Sequence, residues 1–79
     1  MTVLIVDDQR VVREGLATIL AHMPNVSVVG VAATGEEALS AVARDNPTVV
    51  LMDLRMPGMG GAEATRRIRT AWPDVQVVV

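Results

Sequence analysis

Two aspartates stand side by side at Asp7-Asp8, directly behind the apolar run Val3-Leu4-Ile5-Val6. A third, Asp53, stands directly behind a second apolar run, Val49-Val50-Leu51-Met52. Taken singly, each has an ordinary structural use: Asp8 could cap a following helix, and Asp53, shortly before Pro57, could shape a turn. Taken together they have another. If the two apolar runs are neighbouring strands, three carboxylates converge at one edge of a sheet. There they repel one another and lose solvation, so a cation has to compensate. The chain has no Cys, and an acidic, all-oxygen site suits a hard divalent ion, Mg²⁺ before others. A carboxylate beside such an ion can act as a nucleophile towards a phosphoryl group and form an aspartyl phosphate. That reaction requires of the protein chiefly positioning and charge neutralisation.

The elements that must position these acids follow from periodicity. Thr2 to Val6 is apolar and β-branched without alternation, which predicts a strand buried on both faces. From about Gln9 to His22 the period becomes helical. Val12, Leu16, Ile19, Leu20 and Met23 fall on one stripe, Arg10, Arg13 and Glu14 fall opposite, and Pro24 stops the helix. Val26 to Ala32 predicts a second strand. Thr34-Gly35-Glu36-Glu37 has the form of a capping box, with Thr34 on the amide of Glu37 and Glu37 reaching back. It opens a helix to about Arg44 with Ala38, Leu39 and Val42 inward. Asn46-Pro47 ends that helix, Thr48 to Met52 predicts a third strand, and Asp53 to Gly60 a loop. A helix from about Gly61 to Ala71 turns Ala64, Ile68, Ala71 and Trp72 to one side and pairs Glu63 with Arg67 on the other. Pro73 ends it, and Val75 to Val79 begins a fourth strand. The order β-α-β-α-β-α-β predicts an α/β fold with a parallel sheet and right-handed crossovers. In such a sheet, function gathers at the carboxyl ends of the strands, where Asp7, Asp8 and Asp53 fall.

Composition narrows the field. With 79 residues the chain is one domain at most, and 51% hydrophobic with 20% charged residues is a globular balance. A net charge of −2 argues against direct contact with nucleic acid, which needs clustered cations. All seven basic residues are Arg, so a P-loop and Schiff-base chemistry are excluded. Trp72 is the only aromatic, so base-stacking platforms are excluded too. No apolar run reaches the roughly 18 residues that span a bilayer. Met1-Thr2-Val3-Leu4 lacks the basic start of a signal peptide, and a cytoplasmic protein without membrane contact is expected. His22, at a helix end, reads as a cap for carbonyls. Met52, Met56 and Met59 read as core and loop filler, and Arg66, Arg67 and Arg69 as a solvated face.

Val3-Leu4-Ile5-Val6-Asp7-Asp8 followed by Asp53-Leu54-Arg55-Met56-Pro57-Gly58-Met59 resembles the receiver domain of bacterial two-component response regulators. The resemblance covers the whole chain. The stretches Val12-Arg13-Glu14-Gly15-Leu16 and Glu63-Ala64-Thr65-Arg66-Arg67-Ile68-Arg69 resemble regulators whose second domain is a LuxR-type helix-turn-helix. The resemblance implies a flavodoxin-like, three-layer fold with strand order 2-1-3-4 for the strands present. It implies Asp53 as phosphoacceptor, Asp8 as direct ligand to Mg²⁺ and Asp7 as the acid that holds metal-bound water. The backbone carbonyl of Arg55 becomes the third protein ligand, and Pro57 and Gly58 shape the loop. A sensor histidine kinase becomes the expected phosphodonor, and a DNA-binding output domain the expected effector.

The departures are specific. A complete receiver has five βα units, and this sequence stops inside the fourth strand, so residues 1–79 read as a truncated receiver domain. The family's Thr or Ser after the fourth strand, its Lys after the fifth and the aromatic residue of the fifth strand have no counterpart here. Gly60 stands where the family often has an Asp that caps the third helix, a cap weaker by a few tenths of a kcal/mol. Val75-Gln76-Val77-Val78-Val79 would be an unprotected edge, so a homo-oligomer is expected. Two alternatives compete with phosphoacceptance. One is an interaction fragment that associates through this edge without being phosphorylated. The other is an enzyme or nucleotide binder, but the chain has Asp7-Asp8-Gln9 where a haloacid-type phosphatase needs Asp-x-Asp, and it has no G-x-G-x-x-G.

Overall fold

The computed structural model covers residues 1–79. Seven elements follow one another: β1 (Thr2–Val6), α1 (Arg10–Ala21), β2 (Ser27–Ala32), α2 (Gly35–Asp45), β3 (Val49–Met52), α3 (Gly60–Ala71) and β4 (Gln76–Val78). The four strands form one sheet in the order β2-β1-β3-β4. All three pairings are parallel, as the unbroken apolar strands and intervening helices dictate. Boundaries differ from the periodicity by one or two residues. No helix is long and apolar enough to cross a membrane.

The main core lies between the sheet and the pair α2–α3. Leu4 and Val6 of β1, Val50 and Met52 of β3, Ala38, Ala41 and Val42 of α2, and Ala64 and Ile68 of α3 are all buried in one cluster. Alternation sends Val3 and Ile5 to the opposite face of the sheet, where they are also buried. That face is covered by α1, which makes the third layer. The covering is thin: α1 buries no residue fully. Ile19 is 62% and Met23 47% exposed, so the end of the expected stripe reaches solvent. At the far end of α3, Ala71 is exposed as well, and Trp72 is half-buried against the core.

Chain punctuation works largely as the residue types require. The Oγ1 of Thr34 accepts the N–H of Glu37 at 3.0 Å. Glu37 reaches back one residue further than a capping box needs and accepts the N–H of Ala33 at 3.2 Å. Asn46 closes α2 in the left-handed conformation, at φ 44°, which Asn tolerates better than most residues. At the opposite end of the sheet from the aspartates, Thr2 Oγ1 accepts the N–H of Thr48 at 2.9 Å and ties β1 to β3.

Candidate functional site

The sheet ladder itself delivers the acids. In the β1–β3 register Val6 lies opposite Met52, so the next residues of both strands, Asp7 and Asp53, emerge together. Each stays tethered to the ladder: the N–H of Asp7 donates to Ala32 O at 3.0 Å, and that of Asp53 to Val6 O at 2.9 Å. One carboxylate oxygen from each of Asp7, Asp8 and Asp53 lies within 4.8 Å of the others. The convergence expected from the sequence is present. Asp7 and Asp53 are half-buried and Asp8 is exposed.

The ordinary uses of these residues and their convergence are not exclusive. Asp7 Oδ1 accepts the N–H of Gln9 at 2.8 Å, and Asp53 Oδ1 accepts the N–H of Arg55 at 3.0 Å. Both are side chains folding a turn back on themselves, and both turns aim the acids at the same place. Asp8 caps nothing. Gln9 occupies the N-cap of α1 without a side-chain bond, which leaves the Asp8 carboxylate without a protein partner. No cationic side chain pairs with the three acids: the ion pairs of the chain are Arg10–Glu14, Arg44–Asp45 and Glu63 with Arg66 and Arg67.

Where the loop from Asp53 enters α3, two successive glycines shape the chain. Gly60 has φ +75°, a left-handed conformation that glycine adopts at no steric cost. The N-cap of α3 is Met59, not Gly60, and has no side-chain bond. Gly61 is needed for a different reason. A Cβ there would run into the carbonyl oxygen of Asp53 and lie 2.7 Å from Leu54 Cα. Its N–H donates to Leu54 O at 3.3 Å, so the loop closes onto itself behind the phosphoacceptor candidate. On the other side Met56 is buried in the core and Met59 packs against Gly35 of α2. Pro57 and Gly58 are exposed at the loop's tip. Arg55 is exposed as well.

The remaining charged residues fall away from the site. His22 caps α1: its backbone N–H donates to Ile19 O at 3.2 Å, the next N–H, of Met23, donates to Leu20 O at 3.1 Å, and its Nδ1 lies 2.8 Å from Thr18 O. Arg66 and Arg67, expected as a solvated face, both bond Glu63, and these bonds pull the Glu63 carboxyl down from its ordinary value to about 2. The one departure near the acids is Arg13. Placed by periodicity on the outer side of α1, it instead sends Nη1 to the carbonyl of Asp7 at 2.8 Å. Its position beside the Val12–Leu16 stripe carries a faint sign of this, but a long flexible side chain leaves the destination open in sequence.

A parallel sheet in the order 2-1-3-4, with helices on both faces and carboxylates at the ends of its two central strands, defines a flavodoxin-like α/β fold. Residues 3–79 match the response regulator receiver domain family, and the chain belongs to that family. It is 49% identical over 76 residues to the response regulator GacA of Pseudomonas viridiflava, across 96% of this chain and 36% of that protein. It is 54% identical over 77 residues to protein-glutamate methylesterase/protein-glutamine glutaminase 4 of Geobacter metallireducens, across 98% of this chain and 22% of that protein. The crystal structure of a two-component response regulator of the LuxR family from Aurantimonas sp. SI85-9A1 superposes with a TM-score of 0.90 at 38% identity, over 96% of this chain and 54% of that one. The chain thus spans about a third or less of the curated relatives it matches.

Proposed function

We propose that Asp53 accepts a phosphoryl group from a sensor histidine kinase in a Mg²⁺-dependent reaction, and that the state of Asp53 governs a DNA-binding output domain of the response regulator. The observation that carries this reading is the convergence of Asp7, Asp8 and Asp53 to within 4.8 Å. The donor set fits the ion: three carboxylates with no imidazole, thiolate or paired cation among them suit a hard, oxygen-seeking divalent metal. Asp7, Asp8, Asp53 and the backbone carbonyl of Arg55 would hold it. When bound, Mg²⁺ neutralises charge that would otherwise keep a phosphoryl group away from three acids.

The chain's own part is orientation. With Oδ1 of Asp53 held by the N–H of Arg55 at 3.0 Å, the carboxylate cannot swing freely. One of its oxygens forms the new bond to phosphorus as the donor's P–N bond breaks, and the imidazole leaves with the electron pair. The product is an acyl phosphate on Asp53. The domain receives a group and does not turn over a substrate. The methylesterase relative supports a separation of roles, since the match covers only 22% of that protein. A net charge of −2 supports leaving DNA contact to another domain. The same reading makes the protein cytoplasmic and without membrane contact; self-association is proposed on a separate ground, the exposed β4 edge.

Incubating the chain with Mg²⁺ and a small acyl-phosphate donor, followed by mass spectrometry, tests the reading. We expect one phosphoryl group on wild type and none on Asp53→Asn. Transfer to these 79 residues should be slow, because no Lys ammonium is present to meet the phosphoryl oxygens. Unmodified wild type at saturating donor would leave the fragment that only associates.

A further inference from the structure

The hydrogen bond from Arg13 to Asp7 has consequences beyond the first turn of α1. Asp7 is held at three atoms. Its N–H donates to Ala32 O at 3.0 Å, its Oδ1 accepts from Gln9 N–H at 2.8 Å, and its carbonyl accepts from Arg13 Nη1 at 2.8 Å in a partly buried setting. That carbonyl belongs to the peptide that carries Asp8. Asp8 has no side-chain hydrogen bond of its own, so the direction of its carboxylate depends on how firmly this peptide is fixed. The neighbouring cation gives no help, since Arg10 turns away to Glu14 at 2.9 Å.

We propose that Arg13 is a positioning residue for the metal site, fixing the Asp7–Asp8 peptide so that the Asp8 carboxylate is presented to the ion. The proposal rests on the Mg²⁺ reading above and extends it to a residue outside the ligand set. A hydrogen bond from a charged donor is roughly twice as strong as one between neutral groups. Partners behind a ligand commonly change metal affinity by about ten- to a hundredfold. Arg13 also carries a charge that repels a divalent ion, and the two effects have opposite signs. Positioning predicts weaker binding when Arg13 is removed; repulsion predicts tighter binding.

The test uses the full chain, with Mg²⁺ alone as titrant and amide hydrogen exchange in metal-free buffer as an independent readout. Arg13→Met is expected to weaken Mg²⁺ binding about tenfold, and Arg13→Lys, which keeps a charged donor, to recover part of the loss. In an Asp8→Asn background the same Arg13→Met change should have little further effect, because the group it positions is gone. Without metal, the Gln9 amide should exchange faster in Arg13→Met than in wild type, with Arg13→Lys between them and the Val42 amide unchanged. Equal or tighter Mg²⁺ binding by Arg13→Met would overturn the proposal. So would a uniform rise in exchange that includes Val42, which would mark a loosened fold. A wild-type chain that binds no Mg²⁺ would overturn the metal reading and with it this extension. The Gln9 exchange would then show separately whether Arg13 holds the turn.

Discussion

Adding one methyl group at Gly61 sets it against the carbonyl oxygen of Asp53 and 2.7 Å from Leu54 Cα, and backbone atoms there cannot step aside as a flexible side chain would. Gly61→Ala is therefore expected to destabilise the domain by about 1–3 kcal/mol, the usual cost of overpacking. Urea unfolding measures this, and a change within about 0.5 kcal/mol, the usual scatter of surface substitutions, would contradict it. The same substitution should displace Asp53, so that Mg²⁺ affinity falls even under conditions where the variant is fully folded. Residue types alone carried much of this site. Asp7, Asp8 and Asp53 could be placed at one sheet edge because each follows an apolar run directly. The closeness of Gly61 to the Asp53 carbonyl could not be read, because it depends on the path of a loop that no periodicity describes. Arg13 departs from its predicted side for a related reason: helical phase fixes where its Cβ points, while a long flexible side chain decides where its charge ends.

The helices differ in how they are held, and this predicts unequal responses to the same kind of change. Ile68 of α3 is completely buried, whereas Ile19 of α1 is 62% exposed. Ile68→Ala should cost about 2–5 kcal/mol and Ile19→Ala no more than about 0.5 kcal/mol in chemical denaturation. Comparable losses at both positions would mean that α1 is buried in solution. The apolar stripe of α1 was legible, but its depth was not, since depth depends on what else covers that face of the sheet. On α3, the bonds from Arg66 and Arg67 hold the Glu63 carboxyl at about 2, below its ordinary 4.5. A carboxylate with a depressed pKa stabilises the folded chain fully above its ordinary pKa, and the contribution is lost as pH falls through the lowered one. Wild type should therefore exceed Glu63→Gln in melting temperature above pH 4.5, by a margin that shrinks to nothing towards pH 2. The margin should also shrink in high salt, because these side chains are exposed. A difference independent of pH would contradict the assignment.

At the scale of the whole molecule, β4 is an edge of the sheet in these 79 residues, with Val78 53% and Val79 65% exposed and no charge or proline along Gln76–Val78. Unpaired strand edges of this kind recruit other strands. Light scattering at roughly tens of micromolar, where exposed strand edges associate, is expected to show association of these 79 residues, and Val78→Lys to reduce it; a monodisperse wild-type monomer would contradict this. The order β2-β1-β3-β4 was legible in outline because three helices alternate with four apolar strands, and it is this order that sets β1 beside β3 and so brings Asp7 and Asp8 to Asp53. Metal binding and phosphoacceptance both require that these three acids behave as one oxygen-donor site. Paramagnetic broadening of amide resonances by Mn²⁺, which shares the preference of Mg²⁺ for oxygen ligands, reads this out. Asp7, Asp8, Asp53 and Arg55 should broaden together at one Mn²⁺ concentration, Mg²⁺ should reverse the broadening, and Asp8→Asn should weaken it at all four positions. Broadening centred on Glu36 and Glu37, or at Asp7 and Asp8 without Asp53, would contradict a single site.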